Sequence, residues 1–113
     1  MARTLITVPS SASRDEIIEI RVLIQHPMET GYRRSSEGEM LARNLIRRFT
    51  CNFEEGGKAG NGVPIFSATL YAAVSANPFL TFHARATVSG AFVFNWAGDN
   101  GFAQNERAAI KVA

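Results

Sequence analysis

The sequence has a single cysteine, Cys51, among its 113 residues. No disulfide can form within the chain, so the fold has to be held together by packing alone. Lysine is almost as scarce, because Lys58 and Lys111 are the only lysines among the 12 basic residues. The formal net charge is only +2, which argues against nucleic-acid binding, since that depends on dense positive charge.

Long apolar runs are also missing. No stretch approaches the roughly 18 apolar residues that a membrane-spanning helix needs, and residues 1–16 do not resemble a signal peptide. These features predict a chain without a membrane segment that stays in the cytoplasm unless something else exports it. Apolar residues still make up 46% of the sequence, which is enough for a packed core in one domain over residues 1–113.

The apolar residues that are present mostly alternate with polar ones, as in half-buried strands. The segments with this pattern are LITV (5–8), EIIEIRVLI (16–24), IFSATLY (65–71), FLTFHARAT (79–87), GAFVFNW (90–96) and RAAIKV (107–112). A further strand is predicted from about Ile46, and a short helical turn before it is left open. With a hairpin turn at residues 97–101 and a glycine-rich loop at 54–64, the pattern predicts an all-β fold, an antiparallel β-sandwich of about seven strands.

The stretch QHPMETGYRR, residues 25–34, is a candidate metal site because it holds His26 and Met28. A blue-copper site would need a second histidine beside a cysteine. Cys51 is followed by NFEEGG, without a histidine, so copper is disfavoured. The structural interpretation is that Pro27 ends the strand and Met28 fills a gap beneath the loop.

The HPM stretch after a strand also resembles superoxide reductases, which are immunoglobulin-like iron proteins. In that family a histidine follows six residues later, where this chain has Tyr32. The family also has a Cys-Asn-x-His ligand pair, where this chain has Cys51 followed by Glu54. Two expected ligands are missing, so iron binding does not carry over, and a related metal-binding protein is kept as an alternative.

Cys51 alternates with Phe49 and Phe53, which favours a buried and unreactive thiol. An inter-chain disulfide is the alternative. A catalytic thiol is disfavoured because no neighbouring residue would lower its pKa. The serines and glycines fit neither a hydrolase elbow nor a phosphate-binding loop, so no catalytic residue is predicted.

Arginines are concentrated between the apolar segments in the first half of the chain. A solvated face is one interpretation, and a contact surface for an oxyanion or an acidic partner is the other. The residues concerned are Arg33, Arg34, Arg43, Arg47 and Arg48.

Four stretches carry a family resemblance. They are HPMETG (26–31), RNLIRRFTC (43–51), FSATLYAAVSANPFLTFHARA (66–86) and a strand with Trp96 followed by a D-N-G turn. Together they resemble the SoxZ family, the Z subunit of the SoxYZ thiosulfate-carrier complex. The resemblance covers the chain from about residue 5 to its end and implies an immunoglobulin-like sandwich with no cofactor and no catalysis of its own.

The resemblance further implies a heterodimer with a SoxY-type subunit, whose C-terminal arm carries sulfur intermediates on a cysteine. It implies transient contact with other sulfur-oxidation enzymes, and a periplasmic location reached together with the exported partner. We expect the partner to contact the HPMETG and ANPF loops, at His26, Pro27, Met28, Glu29, Asn77, Pro78 and Phe79. A homo-oligomeric structural domain is a further alternative.

Overall fold

The computed structural model describes residues 3–26, 28, 34, 36–40, 44–58, 60, 62–70 and 77–113. These residues are mostly strand, with a single 3₁₀ turn at Asp99–Gly101. The strands are β1 (Thr4–Thr7), β2 (Ser11–Ala12), β3 (Glu16–Ile24), β4 (Ile46–Glu55), β5 (Gly62–Thr69), β6 (Phe79–Ala86), β7 (Gly90–Gly98) and β8 (Ala103–Val112). Within these ranges no helix is long and apolar enough to cross a membrane.

The strands form two sheets that pack as a sandwich, which confirms the predicted fold class. One sheet has the order β1-β3-β6 and the other has the order β2-β8-β7-β4-β5. All neighbours are antiparallel except β2 and β8, which are parallel. The sequence did not indicate β2, because a strand of two residues has no measurable periodicity.

The core lies between the sheets and is built by the period-two pattern. On β3 the inward side chains are no more than 3% exposed, and they are Ile18, Ile20, Val22 and Ile24. The larger sheet faces them with Phe49, whose ring centroid lies 5.2–6.2 Å from those of Phe66, Phe94 and Trp96 in the same sheet and of Phe82 in the small sheet. Aromatic pairs at this spacing stabilise a core beyond the area that they bury.

The glycine-rich loop is shorter than the sequence predicts. β4 continues to Glu55 and β5 begins at Gly62, so both ends of the predicted loop at 54–64 are strand. Pro64 is tolerated there because β5 is an edge strand, where a residue without an N–H breaks no ladder bond. The helical turn left open before Ile46 is not seen at residues 37–40, 44 and 45, and residues 41–43 lie outside the described residues.

Candidate functional site

The two loops predicted to contact a partner lie against each other at one end of the sandwich. The main-chain N–H of His26 donates to the side-chain oxygen of Asn77 at 2.9 Å. The main-chain N–H of Asn77 donates back to the carbonyl of His26 at 2.7 Å. Asn77 adopts a left-handed φ of 55°, which asparagine tolerates better than most residues. The reciprocal pair joins the end of β3 to the start of β6.

The imidazole of His26 points into the protein, and the residue is 5% exposed. Its Nδ1 atom accepts the main-chain N–H of Met28 at 3.1 Å. Its ring meets the ring of Phe102 edge-on, with centroids 5.1 Å apart. An Nδ1 atom that accepts a hydrogen bond carries no proton, so the neutral ring holds its proton on Nε2.

Met28 fixes the start of β4 from the same loop. Its sulfur accepts the main-chain N–H of Ile46 at 3.3 Å, and the residue is 5% exposed. The His26 and Met28 side chains thus support the fold, and contact of a partner with these two residues stays a prediction. Pro78 is also buried and its contact with a partner likewise stays a prediction, while Pro27 and Glu29 lie outside the described residues.

Asp99, in the turn between β7 and β8, holds the same end of β4. One carboxylate oxygen accepts the N–H of Leu45 at 3.0 Å, and the other accepts Nε of Arg47 at 2.8 Å. The N–H of Asp99 donates to the carbonyl of Leu45 at 2.8 Å. Gly98 permits this approach, because a side chain there would collide with the Leu45 carbonyl. The sequence analysis recognised the D-N-G turn and gave its aspartate no role.

Burial lowers the pKa of His26 below its ordinary value, because the charged ring would lose its hydration. The Asn44 side chain and the Asp99 carboxylate act in the opposite direction and moderate the change. Nε2 is buried without a partner of good hydrogen-bond geometry among the described residues, although Asn44 lies close enough to raise the pKa. His26 is therefore neutral at pH 7.

The described arginines of the predicted contact surface differ in their contacts. Arg47 is paired with Asp99, and Arg34 donates to the carbonyl of Gly38 at 2.9 Å. Arg48 is exposed on β4, while Arg33 and Arg43 lie outside the described residues. Anion contact by Arg33, Arg34, Arg47 and Arg48 stays a prediction, with Arg47 already engaged.

Cys51 lies in the core and is 0% exposed. Burial raises the pKa of its thiol to about 12, so the thiol is protonated at neutral pH. The interpretation as a buried, unreactive thiol agrees with this position. The inter-chain disulfide does not, because the sulfur cannot reach another chain without opening the core.

Among the described residues, the positions that correspond to iron ligands of superoxide reductases do not face one point. Cys51 lies within the core and is 0% exposed. Glu54 forms an ion pair with Arg107 at 2.5 Å. His26 is bonded to Met28, and Met28 is bonded to Ile46. Ile46 lies about 16 Å along β4 from Cys51 at the usual rise per residue, so His26 and Cys51 lie at different places in the sandwich. Within the described ranges no group of three His, Cys, Asp or Glu residues is placed to hold a metal ion.

The exposed part of the predicted loops continues into an apolar row that the sequence analysis missed. Leu5, Leu23 and Phe79 are cross-strand neighbours on the outer face of the small sheet. Leu5 is 63% and Phe79 is 58% exposed. The alternating pattern could have shown this row, because all three residues fall on the face that should be polar.

Residues 6–109 match the family model described as "Sulphur oxidation protein SoxZ". The chain belongs to the SoxZ family. SoxZ-family membership places it among the subunits of Sox sulfur-oxidation complexes. No curated protein matches this SoxZ-family chain.

Solved structures share the sandwich fold with this SoxZ-family chain at low sequence identity. A superoxide reductase (neelaredoxin) from Ignicoccus hospitalis has a TM-score of 0.78 and 22% identity, over 99% of this chain and 82% of that one. The sulfur carrier protein SoxY from Chlorobium limicola f. thiosulfatophilum has a TM-score of 0.63 and 12% identity, over 97% of this chain and 78% of that one. At such identities the likeness shows the fold alone.

Proposed function

We propose that this chain is the non-catalytic subunit of a SoxYZ-type carrier complex, which binds and presents a SoxY-type subunit. The observation that carries the proposal is the family match over residues 6–109. The partner's cysteine would carry the sulfur intermediates, and this chain would make and break no covalent bond.

The chemistry of the candidate site supports a binding role. The His26 ring is held by Met28 and Phe102, the sulfur of Met28 is bonded to Ile46, and the Cys51 thiol is buried and protonated. These three groups are thus committed to the fold. What the chain offers to other molecules is its strand edges and the exposed row of Leu5, Leu23 and Phe79.

A periplasmic location belongs to the same proposal. A subunit that assembles with an exported carrier would have to cross the inner membrane in the company of that carrier. Fractionation of cells that express both subunits, compared with cells that express this chain alone, tests this part. Recovery of the chain in the periplasm without the partner would contradict shared export.

Coexpression with the SoxY-type subunit from the same source tests the central proposal. We expect a tag on either chain to retain both at an equal molar ratio, and the purified complex to contain no stoichiometric iron or copper. The same experiment with a superoxide reductase in place of this chain is the control for non-specific retention. Failure of this chain to retain the SoxY-type subunit would refute the proposal, as would stoichiometric metal.

A further inference from the structure

The two sheets end in four edge strands, β1, β6, β2 and β5. Natural proteins protect such edges by shortness, proline, lysine or bulges, because unpaired main-chain groups attract other strands. β1 has 4 residues and is followed closely by Pro9, β2 has 2 residues, and β5 contains Pro64. β6 has 8 residues, FLTFHARA, with neither proline nor lysine. Pro78 lies just before β6 and Arg85 is its one charged residue, but among the described edge strands β6 is the longest that contains no proline.

The hydrogen-bond phase of β6 shows which of its groups are free to pair. The N–H of Ile24 donates to the carbonyl of Pro78 at 3.2 Å, and bonded and non-bonded pairs alternate along an antiparallel ladder. In the register of β3 and β6, Leu80, Phe82 and Ala84 are then bonded to β3. The N–H and C=O groups of Thr81, His83 and Arg85 point away from β3, toward the open edge.

An apolar groove lies beneath this edge, between the two sheets. It has a volume of about 330 Å³, and its lining includes Phe53, Ile65, Phe92 and Ile110 from the larger sheet. On the β6 side the lining includes Ala84 and Ala86, whose small side chains leave the space open, together with the polar residues His83 and Arg85. A strand added beside β6 would direct alternate side chains into this groove.

The outer face of β6 sets the charge of such a strand. Arg85 is exposed and forms no ion pair among the described residues. His83 lies beside it and is 3.6 Å from Glu19. An acidic side chain on an added strand would complement Arg85, whereas a second copy of β6 would bring its own Arg85 and His83 to the same face. Like charges on neighbouring strands are destabilising, so a different chain fits better than a second copy.

We propose that an edge strand of the SoxY-type partner pairs with the open edge of β6. It places an apolar side chain in the groove lined by Phe53, Phe92 and Ile110, and an acidic side chain beside Arg85. Main-chain hydrogen bonds provide affinity in this mode, and the groove provides specificity. This inference rests on the proposed function and adds the surface at which the partner binds.

A proline at position 83 tests the pairing directly. His83→Pro removes an N–H that points to the open edge and leaves the bonds to β3 in place, so proline is compatible with the strand. His83→Ala is the matched control, because it removes the same imidazole and keeps the N–H. We expect His83→Pro to weaken binding of the SoxY-type subunit at least about tenfold, and His83→Ala to stay within about twofold of the original chain. Far-UV circular dichroism checks that both variants are folded.

Amide hydrogen exchange by NMR provides a readout without any substitution. On complex formation we expect the amides of Thr81, His83 and Arg85 to become protected, while those of Leu80, Phe82 and Ala84 are already protected in the free chain. Retention of the partner without this alternating change, or equal binding by His83→Pro and His83→Ala, would overturn the inference and leave the proposed function standing. Self-association that His83→Pro abolishes would also overturn it, since the strand on β6 would then be a second copy. If the original chain does not bind the partner at all, the proposed function itself fails.

Discussion

Removing the carboxylate of Asp99 should destabilise the chain more than its place in a surface turn suggests. Asp99→Ala leaves the N–H of Leu45, a residue only 2% exposed, without the acceptor it has at 3.0 Å. A buried donor without a partner costs about 1–3 kcal/mol. Loss of the pair with Arg47, whose side chain is 46% exposed, adds at most about 1 kcal/mol. We therefore expect the free energy of unfolding to fall by about 1–4 kcal/mol.

Urea titration followed by circular dichroism measures this change, and an unaltered slope would show that the unfolded state is the same. The expected loss corresponds to a Tm lower by roughly 4–20 °C for a chain of this size. Arg47→Ala is the matched control, because it removes the ion pair and keeps the bond to Leu45, and it should cost less than about 1 kcal/mol. The reasoning fails if Asp99→Ala costs less than about 0.5 kcal/mol, or if Arg47→Ala costs as much as Asp99→Ala.

Two further predictions follow from His26 and Cys51. The pKa of His26 is lowered in the folded chain from its ordinary value of 6.5, so its contribution to stability is fully present above 6.5 and is lost as the pH falls from there toward the folded value. Urea titrations between about pH 8 and about pH 5 should show this loss in the original chain and less of it in His26→Gln; an equal loss in both would assign it to other groups. The Cys51 thiol, with its pKa raised to about 12, should react with a thiol reagent only after denaturation, and rapid labelling of the native chain would contradict its burial.

The sequence predicted the strands best where alternation alone decides the structure. β3 was predicted at its observed bounds, Glu16–Ile24, because every second side chain is apolar. β6 was predicted within one residue for the same reason. β5 was placed too late, because Gly62 and Pro64 are loop residues by local preference. Only the position of β5 at a sheet edge makes them acceptable in a strand, and that position is not a local property.

The candidate site was harder to predict because distant parts of the chain build it. His26 looks like a loop residue in the sequence, yet its neighbours include Asn77, 51 residues away, and Phe102 from the far side of the β7–β8 turn. No pattern along the HPMETG stretch shows whether these partners cover it. The open edge of β6 was equally hard to predict from the sequence, because an edge strand is one that lacks a neighbour on one side, and strand neighbours come from distant parts of the chain.

The burial of Cys51 has a consequence for a protein of sulfur oxidation. Thiolates attack disulfides and other activated sulfur, and the rate depends on the thiolate fraction and on access. An accessible thiolate on this subunit would be a second sulfur acceptor and would compete with the partner cysteine that is proposed to carry the sulfur intermediates. The folded chain offers no such acceptor at Cys51, because the thiol is both inaccessible and protonated. While the chain is folded, its single thiol therefore takes no part in thiol exchange with activated sulfur.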